Sequence, residues 1–180
     1  MASLIDRMVR ASKLDVSVYE EVEADKGATG QAALVVIISS VAAGIGSLSV
    51  FGIQGLLFTT VGALVGWLIW AYLTYIIGTR LLPEPQTKAD MGEMLRTLGF
   101  SSSPGVLRIL GVIPIVGGII NFVVGIWMLV AMIIAVRSAL DYKSTWRAVG
   151  VCLIGFVIYI IIMFLIFRLI GVNPVLEPTT

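Results

Sequence analysis

The sequence contains no histidine and a single cysteine, Cys152, and only 13% of its residues are charged. Without histidine, imidazole general bases, haem-type histidine ligation and most zinc sites are excluded. Cys152 has no partner for a disulfide, and its apolar surroundings disfavour the thiolate that a nucleophile needs. A nucleotide-binding loop and a serine nucleophile elbow are also missing. We therefore expect no cofactor, no metal site and no catalytic residue.

The sequence also has nearly equal numbers of positive and negative charges. Twelve Lys and Arg residues against eleven Asp and Glu residues give a net charge of +1, so no surface for nucleic acid is expected. Residues 1–26 mix acids and bases and lack the apolar run of about 7–15 residues that a signal peptide needs. Interfacial carboxylate chemistry through Glu84, Asp90 or Glu93 is the enzymatic alternative that this composition leaves open.

The chain instead has long uncharged segments built from Leu, Ile, Val, Gly and Ala. Residues 27–79, 109–136 and 148–167 contain no charged side chain. A helix crosses the hydrocarbon core of a membrane with about 20 residues. The first segment would be about 80 Å long as one helix, against a core of about 30 Å, so it folds back once. The expected fold class is an all-α membrane protein.

Small, polar and proline residues predict where the chain turns back. The first turn lies at residues 47–55, and the second is marked by Pro114, Gly117 and Gly118. These turns give five transmembrane helices, near 31–48, 55–79, 104–117, 118–137 and 148–170. They divide the chain into an amphipathic N-terminal segment at 1–26, a membrane domain at 27–171 and a C-terminal tail at 172–180.

The basic residues predict the orientation of these spans. Lys and Arg fall in three blocks, at 7–26, 80–108 and 137–147, while the loops after spans one and three contain none. By the positive-inside rule the three blocks are cytoplasmic, and only Arg168 contradicts this. We expect a multi-pass protein of the inner cell membrane with its N-terminus inside and its C-terminus outside.

The charge pattern also tests the number of crossings. If residues 104–137 formed one long span, the block at 137–147 would lie outside and the charge bias would reverse. Two passes through this stretch keep the bias intact. A re-entrant hairpin at 104–120 would leave the block at 137–147 on the same side of the membrane as two full passes do. It stays an alternative, because residues 104–117 are short for a crossing.

An amphipathic helix is expected ahead of the first span. Ser3 followed by Asp6 is typical of an N-terminal cap, and apolar and basic residues then occupy different faces. The basic residues are Arg7, Arg10 and Lys13. This pattern fits a helix lying on an anionic leaflet, and it equally fits a helix packed on the protein's own spans.

Four acidic residues, Glu20, Glu21, Glu23 and Asp25, follow just before the first span. A cation site needs carboxylates that converge on one point, whereas neighbouring positions on a helix point apart. We therefore favour a solvated helix face over a cation site or a docking surface for a basic partner.

A second amphipathic helix is expected at the membrane interface between spans two and three. Thr87 is a candidate cap, Asp90 suits the first turn, and Gly99 is expected to end the helix. Pro104 then starts the third span, and Arg108 follows one turn later. The Arg108 side chain either snorkels to the cytoplasmic surface or faces inward, where it would bind an acidic group or a lipid phosphate.

Spans one and two contain pairs of small residues at helical spacing. Ser40 and Gly44 form one pair, and Gly62 and Gly66 form the other. Such pairs let two helix backbones approach closely in lipid. We expect helix packing at these positions, within the chain or against a second copy.

Four segments match a known family: LIDRMVR at 4–10, VYEEV at 18–22, LGFSSSP at 98–104 and STWRA at 144–148. Through them the chain resembles a Yip1-family membrane protein of the short prokaryotic type over nearly its whole length. The resemblance implies five spans with a cytoplasmic N-terminus, which agrees with the charge pattern. In eukaryotic relatives it would imply vesicle-traffic membranes, hetero-oligomers and binding of small GTPases or their regulators. The long cytosolic extension and the Asp-Leu-Tyr-Gly-Pro-like signature of those relatives are missing here, so GTPase binding is not carried over.

Two functional classes follow. The first is a non-catalytic scaffold or accessory subunit that binds other integral membrane proteins or a second copy, or organises membrane lipids. The second is a small-solute or lipid transporter or channel, which would need a polar path, and no Asp, Glu, His or Lys lies at mid-depth in the spans. We favour the first class. The residues expected to contact a partner or lipid are Arg7, Arg10, Lys13, Glu20, Glu21, Glu23, Arg108, Trp146 and Arg147.

Overall fold

Helices make up nearly all of the structure. The computed structural model describes residues 2–113 and 115–169, without the side chains at 49–51, 54, 55, 163, 166, 167 and 169. The expected tail at 172–180 and the end of span five lie outside the described residues. The α-helices of the described chain are α1 Leu4–Ser12, α2 Val16–Ala24, α3 Thr29–Gly46, α4 Leu48–Ile76, α5 Met91–Ser101, α6 Gly117–Ala139 and α7 Thr145–Leu169.

Three further helical elements join these helices. A 3-10 turn, Lys26–Ala28, precedes α3, and a π-helix, Ile77–Leu81, extends α4. A 3-10 helix, Ser103–Val112, follows α5 and is called the 103–112 segment below. The residues described contain no strand.

Four helices of the described chain are long and apolar enough to cross a membrane. They are Lys26–Gly46, Leu56–Leu81, Gly117–Ala139 and Thr145–Ile162. The long apolar segments of the sequence therefore form membrane helices, as predicted. The expected third span at 104–117 is not among the four, because this stretch holds the short 103–112 segment and then a turn.

The N-terminal helix begins where the sequence predicts and packs on the protein itself. The backbone N–H of Asp6 donates to Ser3 Oγ at 3.1 Å, which confirms the cap. Arg7 and Ala11 of α1 are buried, and Trp127 Nε1 of α6 donates to the Ser12 carbonyl at 2.8 Å. Of the two alternatives for α1, the docked helix is the one observed.

The first predicted turn is formed by two breaks in the helix. α3 ends at Gly46, α4 begins at Leu48, and Gly52 interrupts α4 with a φ of 61°. This left-handed conformation favours glycine, because a Cβ would meet the backbone there. After the break α4 runs back along α3, where Gly44 packs directly against Leu56.

The helix that follows span two begins and ends at different residues from those expected. Asp90, not Thr87, is its N-cap: the Glu93 N–H donates to Asp90 Oδ1 at 2.8 Å, and the Asp90 N–H donates to Glu93 Oε2 at 2.7 Å. This is a capping box, and it makes a cap at Thr87 unnecessary. α5 continues past Gly99 to Ser101.

The expectation that this helix lies at the membrane surface is wrong. α5 packs against α2, α3, α4 and α6, and it is buried at every position from Arg96 to Ser101. Arg96 is 4% exposed, and its Nε donates to the Val22 carbonyl of α2 at 2.9 Å. Polar residues that made α5 look amphipathic are thus satisfied inside the protein.

The chain from α5 into the 103–112 segment runs beside α3 in the same direction. Gly99 faces Ala32, and a Cβ at Gly99 would lie 2.6 Å from the Ala32 Cβ. Further along, Ser39 Oγ donates to the Ser102 carbonyl at 2.7 Å. The Arg108 backbone then lies directly against Gly46, the last residue of α3. These contacts follow α3 along most of its length, and α6 leads back from there.

Two of the small residues expected at helix contacts have no packing partner in the described chain. A Cβ added at Gly62 or at Gly66 would meet no atom within 4 Å, whereas one at Gly44 would meet α4. Ser40 is buried and donates to the Ile37 carbonyl of its own helix at 2.9 Å. Packing of Gly62 and Gly66 against a second copy stays a prediction.

The glycine contacts predict opposite effects of one substitution at two sites. Gly99→Ala should lower the free energy of unfolding by about 1–3 kcal/mol, because the added methyl group overlaps Ala32 and forces α5 away from α3. Gly62→Ala should raise it by up to about 1 kcal/mol, because alanine favours the helix and space is open there. Thermal unfolding of both variants in mild detergent measures the difference. A Gly99→Ala protein as stable as Gly62→Ala would contradict the described contact between α5 and α3.

Candidate functional site

Most charged groups of the described chain lie at one end of the helix bundle. The described Lys and Arg residues other than Arg108 and Arg168 lie at six places: in α1 or just after it, in the 3-10 turn before α3, in the π-helix that extends α4, just before α5, in α5, and between the last turn of α6 and the first turn of α7. Hydrogen bonds join these elements, for example from Arg96 to Glu23 and from Lys143 to Glu84. We call this region the charged end.

A buried arginine holds α1, α2 and α3 together at the charged end. Arg7 donates from Nε to Glu21 at 2.9 Å, from Nη1 to Gln31 at 2.9 Å and from Nη2 to Asp25 at 2.8 Å. The Arg7 side chain is 4% exposed, whereas Glu21 and Asp25 are 31% and 33% exposed, so water screens these bonds only in part. The hydrogen bond from Arg7 lowers the pKa of Asp25. Contact of Arg7 with a partner would require breaking this network.

Arg10 pairs with three acidic residues around it, of which Asp6 is the most distant at 3.7 Å. Its Nη1 lies 2.6 Å from Glu21, and its Nε lies 3.1 Å from Asp15. Glu21 and Asp25 therefore belong to intramolecular ion pairs, and the solvated helix face expected for them is wrong. The sequence spacing hid this, because both arginines come from a different helix.

Four other carboxylates line a cleft of about 520 Å³ at the charged end. We call it the acidic cleft. Its carboxylates come from three elements and are Glu20, Glu23, Glu93 and Asp141. No ion pair joins them to a Lys or Arg of residues 2–113 or 115–169, and the part of the chain described contains no cluster suited to a metal ion.

Glu23 is the least solvated member of the acidic cleft. Burial, together with the smaller effect of the nearby charges of Asp141 and Glu93, raises its pKa to about 7. Glu20 lies on the exposed face of α2, and Arg137 at the cleft wall donates to the Tyr142 carbonyl at 3.3 Å. The cleft is thus an anionic surface in which Glu23 is ionised only near neutral pH and above.

The other residues expected to contact partners lie at the edge of the charged end. Trp146 is 83% exposed, and Lys13 is exposed where α1 ends. Arg147 donates to the Pro83 carbonyl at 2.6 Å and lies 3.4 Å from Glu84. The structure does not bring these three residues into the acidic cleft, and their contact with partner or lipid stays a prediction.

A second candidate site lies between the membrane helices. It is a cavity of about 590 Å³ bordered by α3, α4, α5, the 103–112 segment, α6 and α7. Its wall is mostly apolar, with Leu98, Met128, Leu129 and Phe156 among the lining residues. Among the residues that the structure describes, no Asp or Glu lines it. Its size is in the range of about 300–1,000 Å³ that is usual for pockets that bind small ligands.

Three serine hydroxyls around this cavity donate hydrogen bonds within the protein. Ser39 donates to the Ser102 carbonyl, Ser40 to Ile37 and Ser101 to Leu98 at 2.7 Å. Each bond satisfies a polar group that would otherwise be exposed to an apolar environment. These hydroxyls therefore do not form a free polar path across the bundle.

Arg108 lines this cavity, and its position corrects the sequence interpretation. Its backbone lies beside Gly46, about 25 Å along α3 from the charged end at about 1.5 Å per residue. An arginine side chain cannot span that distance, so snorkelling to the charged end is excluded. A Cβ at Gly125 of α6 would lie 3.9 Å from Arg108 Nη2, which places the guanidinium toward the interior.

Two buried donors at this cavity have no hydrogen-bond partner in the part of the chain that the structure describes. They are Arg108 Nε and Trp70 Nε1. Both residues line the cavity, and Trp70 packs edge-on against Tyr159 with ring centroids 6.2 Å apart. Arg108 is a candidate from the sequence alone, because it is a charged residue next to an apolar segment. Trp70 is not, because the sequence does not show whether the N–H of a tryptophan in an apolar segment has a hydrogen-bond partner.

The position of Glu23 predicts a pH-dependent effect on stability. Its pKa is raised from an ordinary value of about 4.5 to about 7 by folding, so the folded protein holds this proton more tightly than the unfolded chain. Stability is therefore lost as the pH rises from about 4.5 to about 7 and stays lower above that. Glu23→Gln, which has no charge to bury, should unfold at a higher temperature than the native chain at pH 8.

The same comparison at pH 5 should show little difference between Glu23→Gln and the native chain. Glu20→Gln on the exposed face of α2 is the matched control and should be neutral at both pH values. A stabilisation by Glu23→Gln of equal size at pH 5 and pH 8 would show that packing, not the buried charge, is responsible.

Comparison of the sequence with known families identifies one that matches most of the chain. The Yip1 domain family matches residues 16–166, from the first residue of α2 into the last third of α7. Comparisons with curated proteins and with solved structures find no match. The match covers the membrane helices, the acidic cleft and the cavity. The chain is therefore a membrane protein of the Yip1 domain family.

Proposed function

We propose that this protein is a non-catalytic membrane scaffold or accessory subunit that binds a basic segment of another membrane protein in the acidic cleft. The observation that carries the proposal is the convergence of Glu20, Glu23, Glu93 and Asp141 on one cleft without a basic residue paired to them. Like charges held close together repel, so a cationic ligand that enters the cleft is bound favourably.

The support for a docking surface also comes from the rigidity of the charged end. Three helices are fixed there by Arg7, and α2 is fixed to α5 by Arg96. A surface that is already ordered loses little conformational entropy when a partner binds. The cleft therefore offers both charge and a fixed shape.

The proposed architecture has five crossings, of which the third is made in two pieces. At about 1.5 Å per residue for α5 and about 2.0 Å for the 103–112 segment, the part beyond Arg96, which is held at the charged end, is about 28 Å long, close to a core of about 30 Å. Their contacts along α3 from Ala32 to Gly46 support this path. The N-terminus and the connection between α6 and α7 then share the charged end.

The distribution of basic residues supports a cytoplasmic charged end. Arg108 is the exception in the basic block at 80–108, because it lies near the end of α3 that is opposite the charged end. The remaining basic residues of the charged end keep the bias in the same direction. In this proposal the protein is a multi-pass protein of the inner cell membrane with its acidic cleft facing the cytoplasm.

The proposed topology can be tested with single cysteines in a Cys152→Ala background. Ile115→Cys, at the end opposite the charged end and 97% exposed, should react with an impermeant thiol reagent added to intact cells. Lys143→Cys, exposed in the connection between α6 and α7, should react only after the membrane is permeabilised. Labelling of both cysteines from the same side would overturn the five crossings.

Docking in the acidic cleft can be tested by crosslinking in membranes. A photoreactive amino acid at Ala24, which lines the cleft, should give a discrete adduct with a membrane protein. The combined substitution Glu20→Lys and Asp141→Asn should reduce that adduct at least about tenfold, because it removes attraction worth more than about 1.4 kcal/mol. Asparagine keeps the left-handed backbone of residue 141, where φ is 54°.

A charge reversal outside the cleft controls for general electrostatic effects. Asp6→Lys changes an exposed carboxylate of α1 that lies outside the cleft lining and should leave the adduct at its native level. The proposal fails if Asp6→Lys and the cleft variant lose the adduct equally, or if the cleft variant keeps it.

A further inference from the structure

We propose that the cavity between the membrane helices binds an anionic phospholipid, whose phosphate accepts hydrogen bonds from Arg108. This site lies away from the charged end and stands independently of docking in the acidic cleft. It rests on the position of Arg108, on the chemistry of the cavity wall and on the place where the cavity reaches the protein surface.

The first step is the unpaired charge. Arg108 carries a permanent positive charge in a wall that contains no carboxylate, and its Nε is buried without a hydrogen-bond partner among the residues described. An isolated charge in an apolar environment is costly, and an unpaired arginine inside a membrane protein is usually paired by an anion or lies in water. The planar guanidinium donates two parallel hydrogen bonds to a phosphate or a carboxylate.

The second step is that both unpartnered atoms of the wall are donors. Arg108 Nε and Trp70 Nε1 can only donate, so the ligand that completes the site must be rich in acceptor oxygens. They come from different ends of the cavity. On α4 the cavity wall extends from Thr59 to Trp70, a distance of about 16 Å. Thr59 lies against Gly44, and the Arg108 backbone lies against Gly46. Arg108 and Thr59 are therefore both near the end of α3, at the opposite end of the cavity wall from Trp70.

The length of the site distinguishes between kinds of anion. An inorganic phosphate or a fatty-acid carboxylate has acceptors at one point only, and would leave one of the two donors unsatisfied. A phospholipid carries a phosphate and, further along, the ester oxygens of its acyl chains. We therefore assign the phosphate to Arg108 and a second oxygen of the lipid to Trp70.

The third step is access from the membrane. Leu129 of α6 and Phe156 of α7 line the cavity, yet they are 48% and 55% exposed on the outside of the bundle. The cavity therefore reaches the lipid-facing surface between these two helices. An acyl chain can enter there and pack on the apolar wall.

The test uses the purified full-length protein, stripped of lipid in mild detergent, with phosphatidylglycerol as the probe. When phosphatidylglycerol is added, native mass spectrometry should show saturable binding of one lipid molecule per chain. Phosphatidylcholine, in which a choline neutralises the phosphate, should bind at least about tenfold more weakly. Palmitate and inorganic phosphate are the two further probes and should show no saturable binding at the concentrations that saturate with phosphatidylglycerol.

Substitutions then assign the site to its residues. Arg108→Gln should weaken phosphatidylglycerol binding at least about tenfold, as expected for a lost charge-assisted hydrogen bond. Arg108→Lys keeps the charge but loses the planar fork, and Trp70→Phe keeps the ring but loses the N–H, so each should weaken binding about two- to tenfold. These two conservative variants keep the proposal testable if Arg108→Gln does not fold.

Arg80→Gln is the matched control, because it removes an exposed arginine at the charged end where lipids bind only by their general charge. It should leave saturable binding unchanged. The proposal is overturned if Arg108 and Arg80 variants behave alike, if phosphatidylcholine binds as tightly as phosphatidylglycerol, or if palmitate or inorganic phosphate saturates the site instead. Failure of the native chain to bind added phosphatidylglycerol saturably would also overturn it.

Discussion

Close packing of α3 against the chain that runs from α5 into the 103–112 segment is the constraint on which the other contacts depend. In lipid, helices gain little from burying apolar surface and associate where small residues let their backbones touch. Gly99 faces Ala32, Gly105 faces Ser39, and Gly46 receives the Arg108 backbone. This contact places α5 in the middle of the bundle, and α2, α4 and α6 then pack around it. The floor of the acidic cleft and one wall of the cavity both follow from it.

Sequence patterns predicted the four apolar membrane helices because hydropathy depends on local composition alone. They predicted a helix at α5 but not its burial, since Arg96, Thr97 and Ser101 give it the appearance of a surface helix. Each of these polar groups is satisfied by a backbone carbonyl, and for Arg96 that carbonyl belongs to α2, 73 residues earlier in the chain. A pairing over that distance leaves no periodic signal. The cap at Ser3, by contrast, spans three residues and was predicted correctly.

The candidate sites show the same division between local and distant information. The sequence placed Glu20, Glu21, Glu23 and Asp25 together, but the structure divides them according to their neighbours in space. Arginines of α1 pair with Glu21 and Asp25, whereas Glu23 faces carboxylates from α5 and from the connection after α6. The inward orientation of Arg108 was one of two open alternatives, because a single sequence does not say how deep a residue lies when its helix is formed in two pieces.

The bond from Arg96 to α2 has a consequence for the order of assembly during synthesis. When α2 leaves the ribosome, α5 does not yet exist, so the Val22 and Glu23 carbonyls lack the guanidinium that later holds them. Until then the membrane surface is the available partner for the apolar face of α1, where Ile5 and Val9 are exposed. The acidic cleft closes around Glu93 and Asp141 only after α5 and α6 are in place. A protein that recognises the cleft would therefore distinguish a finished chain from a nascent one.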